Sequence, residues 1–236
     1  MKKRYAKENL GFTLVEMAIS LVIVGLLLGG MVLPLLTLQE QTTFSESRQK
    51  LGEIREALIG YGMSHGYLPC PAVSASNGAE DRDVGTGACN SRVGFLPWAE
   101  LGFQKLDSWG HLYRYSVSPV FSDSITKVSL TSTGDITVVA RDVNGATSNI
   151  LTIPVIVVAH GNSAPWAYQD DGTLITDASL TNVDEDVNGN TAAGTTFYTR
   201  DITKNKGSTG GEFDDLVVWI PTSFYLNRMV SSGQLP

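Results

Sequence analysis

At 236 residues, 42% apolar and 17% charged, the chain can bury a sizeable core, which excludes global disorder. The formal charge of −7 is unevenly held: residues 1–11 carry Lys2, Lys3, Arg4 and Lys7 against Glu8, a net +3, leaving −10 on the rest, an acidic balance that disfavours nucleic acid as a partner. The 24 glycines and the Ser/Thr/Asn/Asp stretches of the second half suit turn-rich β structure better than a helical bundle.

From Phe12 to Leu33 the sequence FTLVEMAISLVIVGLLLGGMVL is apolar with one exception, Glu16. As a helix rising ~1.5 Å per residue it spans a ~30 Å hydrocarbon core. The basic cluster ahead of it places the N-terminus in the cytoplasm and everything after Pro34 on the far side. An ordinary secretory signal is cut after its apolar run, at small residues, and no such site follows Leu28. Gly25 and Gly29 have the small-xxx-small spacing that lets helices approach closely in lipid, and are read equally well as ordinary membrane-helix composition. Pro34 predicts a kink or local melting.

The residues KENLGFTLVE resemble the type III signal of type IV prepilins and type II secretion pseudopilins. The resemblance implies that a prepilin peptidase cuts between Gly11 and Phe12 and methylates the new N-terminus of Phe12. A carboxylate at membrane depth costs about 2.5–3.5 kcal/mol, so Glu16 needs an explanation. One reading makes it a residue near the membrane edge that reaches water. The resemblance implies another, in which Glu16 meets the cationic Phe12 amine of a neighbouring subunit inside a filament. It implies an α+β fold, the pilin fold, with a long N-terminal α-helix, membrane-embedded in its first half, packed on an antiparallel β-sheet head. The segments are then a leader at 1–11, a transmembrane part at 12–36, an amphipathic half at 37–64 and a head at 65–236.

The function implied is that of a structural subunit, first single-pass in the inner membrane with a periplasmic head, then part of a pilus or pseudopilus that reaches the cell surface in some systems. The partners are prepilin peptidase, other pilin or pseudopilin subunits in a homo- or hetero-filament, the inner-membrane assembly platform and membrane lipid. A tip-located adhesin or ligand-binding minor pilin is the alternative; Glu16 argues against it, because subunits lacking that acid can cap a filament in this family.

Beyond Thr37 the pattern becomes amphipathic, with Leu38, Phe44, Leu51, Ile54 and Leu58 on one face and Arg48, Lys50, Glu53, Arg55 and Glu56 solvated. Gly60, Gly62 and Gly66, followed by Pro69 and Pro71, end the helix. Residues 64–111 read mostly as loop. The pair Cys70 and Cys89, on the exported side of a membrane, is expected to form a disulfide. Asp107-Ser-Trp109-Gly110-His-Leu-Tyr113-Arg-Tyr115 resembles a segment of major pseudopilins and predicts a turn at 107–110 feeding a strand at 112–117, with its aromatics packed around the helix. Further strands are predicted at 127–132, 135–140, 153–159, 196–202 and 216–220, the run from Pro154 to Ala159 being central. A short helix is predicted at 221–230, with Phe224, Tyr225 and Met229 on its apolar stripe.

Two acidic segments offer oxygen ligands. Asp184, Asp186 and Asn188, with Gly189, alternate as in the first half of an EF-hand loop, but Thr195 stands where the closing Glu belongs. The plain reading of this stretch is an exposed Asx-rich turn. Glu212-Phe-Asp214-Asp215-Leu-Val-Val-Trp219 resembles the acidic-then-Trp strand of major pseudopilins, where the family binds calcium. The spacing of the first segment and the resemblance of the second together suggest a calcium set of Asp184, Asp186 and Asn188 with Asp214 or Asp215, and no cofactor is otherwise required. His65, His111 and His160 lack metal-ligand spacing and read as turn or surface residues; no nucleophile elbow or Walker loop is present, so an enzyme is not expected.

Overall fold

The computed structural model describes residues 11–190 and 194–235, the side chains of 30–37 and of Asn190 excepted. The expected leader, apart from Gly11, lies outside these residues, as does the Pro34 side chain. Two compact units result, Met1–Thr43 and Phe44–Pro236.

Helix α1 runs from Leu14 to His65. It is assigned without a break at Pro34, so the expected local melting does not occur. Among the described residues no helix is long and apolar enough to cross a membrane; the expected span at 12–36 runs into the residues whose side chains are not described. In its first half the apolar side chains, from Leu14 to Leu28, stand exposed.

From Phe44 on, the amphipathic face is buried as its spacing predicts. Leu51, Ile54 and Leu58 are 4% exposed or less, each such burial contributing roughly 1.5–3 kcal/mol. They pack with Tyr113, Tyr115, Val117, Val155, Val157, Tyr225 and Met229 into the main core, and the Phe44 ring meets Trp109 edge-on at 4.9 Å. Gly66, at φ 84°, ends α1 by donating its N–H to the Gly62 carbonyl. Gly62 has a second use, because a Cβ there would overlap the Tyr225 ring of the C-terminal helix.

The head holds two sheets. Strands β1 (Val93–Phe95), β2 (Arg114–Val117), β5 (Val155–Ala159) and β7 (Leu216–Ile220) form an antiparallel sheet in the order β1-β2-β5-β7. Every residue of β5 is buried, as expected of a central strand. Alternation divides this sheet: Tyr115, Val155 and Val157 face α1, while Ile156 and Val158 join Ile136, Val138, Ile153 and Phe197 in a second core. That core belongs to a three-stranded sheet in which β3 (Ile136–Arg141) pairs antiparallel with β4 (Thr147–Ile153) and parallel with β6 (Thr196–Thr199). Short helices α2 (Trp98–Leu101), α3 (Pro119–Ser122) and α4 (Val183–Asn190) punctuate the loops, and α5 (Thr222–Ser231) closes the chain with Tyr225 and Met229 buried.

Four expectations need correcting. Residues 127–132 form turns, because Lys127 sits at φ 54° and Ser132 Oγ accepts the Ser129 N–H. Strand β4 was not anticipated; its mostly exposed, polar sequence carries little hydrophobic alternation. The strand pairing is not wholly antiparallel, since the long 142–195 excursion lets β6 return beside β3 in the same direction. The segment at 184–190 is a helix and not an Asx-rich turn, held by its contacts with β6 and with Asp215, the residue before β7.

Candidate functional site

Two groups of residues carry chemistry. At the start of α1, Thr13-Leu-Val-Glu16 closes a capping box: Glu16 Oε2 accepts the Thr13 N–H at 2.8 Å and the Thr13 hydroxyl at 2.9 Å, and Thr13 Oγ1 accepts the Glu16 N–H at 3.3 Å. A cap of this kind contributes about 1 kcal/mol and fixes where the helix begins. Gly11 and Phe12 therefore stay outside the helix, with Phe12 83% exposed and open space beside the Gly11 Cα. The bond between them lies on accessible backbone outside the helix. The T-x-x-E spacing of Thr13 and Glu16 is the sequence signal for this cap.

In the head, α4 delivers its side chains to three different places. Asp184 takes two guanidinium groups, Arg141 at 2.8 and 3.0 Å and Arg200 at 3.0 Å. Asp186 accepts the Trp166 indole N–H at 2.7 Å. Asn188 clips β6, accepting the Tyr198 N–H at 2.6 Å and donating to its carbonyl, and also donates to Asp215 Oδ2 at 2.8 Å. Of the five expected calcium ligands the fold thus brings Asp214, Asp215 and Asn188 together, while Asp184 and Asp186 face other partners.

The residue missing from the sequence reading is Glu185. Ligand atoms of Glu185, Asp214 and Asp215 lie within 4.8 Å of one another. Glu185 is wholly buried and Asp215 nearly so, at 2%. Its Oε1 accepts the Asp214 N–H at 2.5 Å, and Oε2 accepts the Asn182 amide at 3.2 Å. Asp214 caps the turn after β5 through the N–H groups of Asn162 and Ser163 and the Ser163 hydroxyl. Burial first, then the Asp215 and Asp214 charges, push the Glu185 carboxyl up to about 9. Burial also raises Asp214. His160, expected at the surface, is instead 1% exposed with Nδ1 3.2 Å from Asp215 Oδ1, because β5 carries it straight into the head. Glu185 sits one position off the alternating Asp pattern, and on the helix it points to neighbours of its own, apart from those of Asp184 and Asp186.

The disulfide forms between Cys70 and Cys89, with Cα atoms 5.3 Å apart. Beside it the Arg82 guanidinium pairs with Glu80 at 2.8 Å, donates to the carbonyls of Gly87 and Ser122, and lies over the Tyr67 ring. Glu80 in turn accepts the Cys70 N–H at 2.8 Å. Cross-link and ion pair thus fix one loop.

Residues 7–32 match the family model for the prokaryotic N-terminal methylation motif. No curated protein and no solved structure matches the chain. The chain carries the type IV pilin and pseudopilin signal at its N-terminus, ahead of an α+β head of a composition consistent with the pilin fold.

Proposed function

We propose that the chain is a structural subunit of a type IV pilus or a type II secretion-like pseudopilus, processed by prepilin peptidase and assembled through its N-terminal helix. The observation that carries this is the methylation motif at 7–32, with the Gly11–Phe12 bond lying just outside the first turn of α1. Cleavage there releases a cationic amine that methylation leaves charged. Glu16 lies four residues on, exposed, with its carboxylate bonded to Thr13, so exchanging that contact for a neighbour's amine costs little. The pair offsets the roughly 2.5–3.5 kcal/mol that an isolated carboxylate costs in lipid. On this reading the precursor is single-pass in the inner membrane with its head in the periplasm, and its partners are like subunits and the assembly platform.

Mass spectrometry of the mature protein is expected to find N-methyl-phenylalanine at position 12; any other start overturns the reading. Glu16→Val should insert normally and be depleted from sheared filaments, and incorporation at the unaltered level would sink the role given to that acid.

A second proposal concerns the head. Glu185, Asp214 and Asp215 present hard oxygen donors of the kind calcium takes, and Asn182, 1% exposed, bonds Glu185 through Nδ2 while its Oδ1 has no hydrogen-bond partner among the described residues. A bound dication would offset most of the negative charge of three ionised carboxylates that otherwise repel one another. Asn188, already on Asp215, orients that ligand. Chelator should lower the melting temperature and excess calcium restore it; no response to either removes calcium from the reading.

A further inference from the structure

Four strands stand at the edges of the two sheets, and three of those edges are protected. Ala72 exchanges both backbone hydrogen bonds with Phe95 along the outer side of β1, at 2.8 and 2.9 Å. The Asn188 side chain accepts the Tyr198 N–H and donates to its carbonyl on β6. Beside β7 stand the charged groups of Arg48, Arg200 and Asp201. The fourth, β4, differs. Its one strand neighbour is β3, and among the described residues no backbone hydrogen bond reaches its outer side from Thr147 to Leu151. Such an edge is a row of N–H and C=O groups ready for another strand, and proteins that must stay apart blunt it with lysine, proline or an inward charge. Strand β4 has none of these: Val143 to Ala159 carries no charged residue, in a chain of net charge −7, and Thr147 to Leu151 holds no proline. Side chains alternate along the strand. Ile150 packs toward the second core, whereas Thr147, Asn149 and Leu151 point away from it and are exposed, Leu151 at 59%. The regular edge ends there, because Thr152 is held at φ 61° with its carbonyl taken by the Thr222 hydroxyl.

We propose that the outer edge of β4 pairs antiparallel with β4 of a second copy of this chain, about a two-fold axis at Asn149. That register uses the whole regular edge: Thr147 lies opposite the partner's Leu151, Ser148 opposite the partner's Ile150, and Asn149 opposite the partner's Asn149. Identical strands paired in this way set each residue against a fixed counterpart, so a strand bearing charge of one sign repels its copy. In an acidic chain, a neutral edge is where two copies meet without that repulsion. Asn149 suits the centre because an amide holds both donors and an acceptor and bonds its own kind. Ile150, half-buried against the second core, gains cover from the added strand. A strand pair of this length buries less than the ~1,200 Å² at which stable interfaces begin, so the contact is weak between separate chains and gains strength where copies are held close together. The pairing needs only two heads; it is independent of the filament reading, and either can fail without the other.

Single cysteines in the uncleaved full chain, oxidised in detergent micelles, test the pairing without any assembly machinery. Asn149→Cys is expected to give a disulfide-linked dimer on non-reducing gels, and Thr147→Cys mixed with Leu151→Cys to give several times more dimer than either alone. Leu180→Cys, 95% exposed and off the strand, measures chance encounters, including any brought about by α1. Adding Thr147→Glu with Leu151→Lys to Asn149→Cys sets opposite charges across the pair, and Thr147→Glu with Leu151→Glu sets like charges. The first should dimerise about tenfold more than the second. Both variants share the change at 147, so a loss of folding caused by it does not mimic the difference. Equal yields from the two charge variants overturn the proposal. So does a dimer at Asn149 no greater than at Leu180, which would leave the edge to an extended segment of a different protein.

Discussion

At the scale of single residues, the acids of this chain divide by what answers their charge. Glu16 and Asp184 are answered within the chain, the first by a threonine and the second by two arginines. Glu185 is answered by an amide and a backbone N–H, with two further carboxylates beside it. That difference yields a direct test. Glu185→Gln keeps a carbonyl oxygen for the Asp214 N–H and matches the neutral carboxyl that burial and the two neighbouring acids favour when no dication is bound. Its melting temperature in chelator should equal or exceed that of the parent, and the increment from calcium should be lost; an increment that survives would exclude Glu185 as a ligand. Nothing in the residue's sequence position marked it out, because the alternating Asp pattern was read at loop spacing and α4 is helical.

Among the elements, the 70–89 loop is stabilised twice over, covalently and by Arg82. The cross-link closes a separation of 19 residues, and removing it by Cys70→Ser with Cys89→Ser should cost about 3 kcal/mol in denaturant unfolding. Arg82→Met should cost a comparable amount, roughly 3–5 kcal/mol, because it leaves the largely buried Glu80 carboxylate without its counter-charge and removes a donor from the Gly87 and Ser122 carbonyls. A loss below about 0.5 kcal/mol, the ordinary range for a surface change, would show that the network is incidental. The cysteine pairing was legible from compartment and count, whereas the arginine network was not. Arg82 lies in a run of charges, Glu80 to Asp83, that reads as a solvated turn. Likewise β5 and β7 each announced themselves by five consecutive apolar residues, while β4, whose side chains mostly face solvent, gave no periodic signal.

For the whole molecule, the division at Thr43 sets what can fold alone. The main core is built from residues between Phe44 and Leu235, and the second core lies wholly inside the head. A fragment beginning at Phe44 should therefore be folded, with the disulfide formed and a single cooperative melting transition by circular dichroism. A fragment lacking that transition would mean that the head depends on residues 12–43 for its stability.

What the sequence settled by itself were features whose physics is local. A basic leader before an apolar run, a glycine and aromatic at its edge, an acid in the first turn and a helical stripe ending in glycines are each readable in a short window, and so is the turn at Asp107 that feeds β2. Only the tertiary structure decided which acids meet. Asp184 and Asp186 stand two residues apart on a helix and so point to different neighbours, while Glu185 reaches Asp214 and Asp215 from 29 residues away. The parallel return of β6 and the unpaired outer edge of β4 are likewise products of long-range packing, because no short stretch of chain records which distant strand will lie beside it.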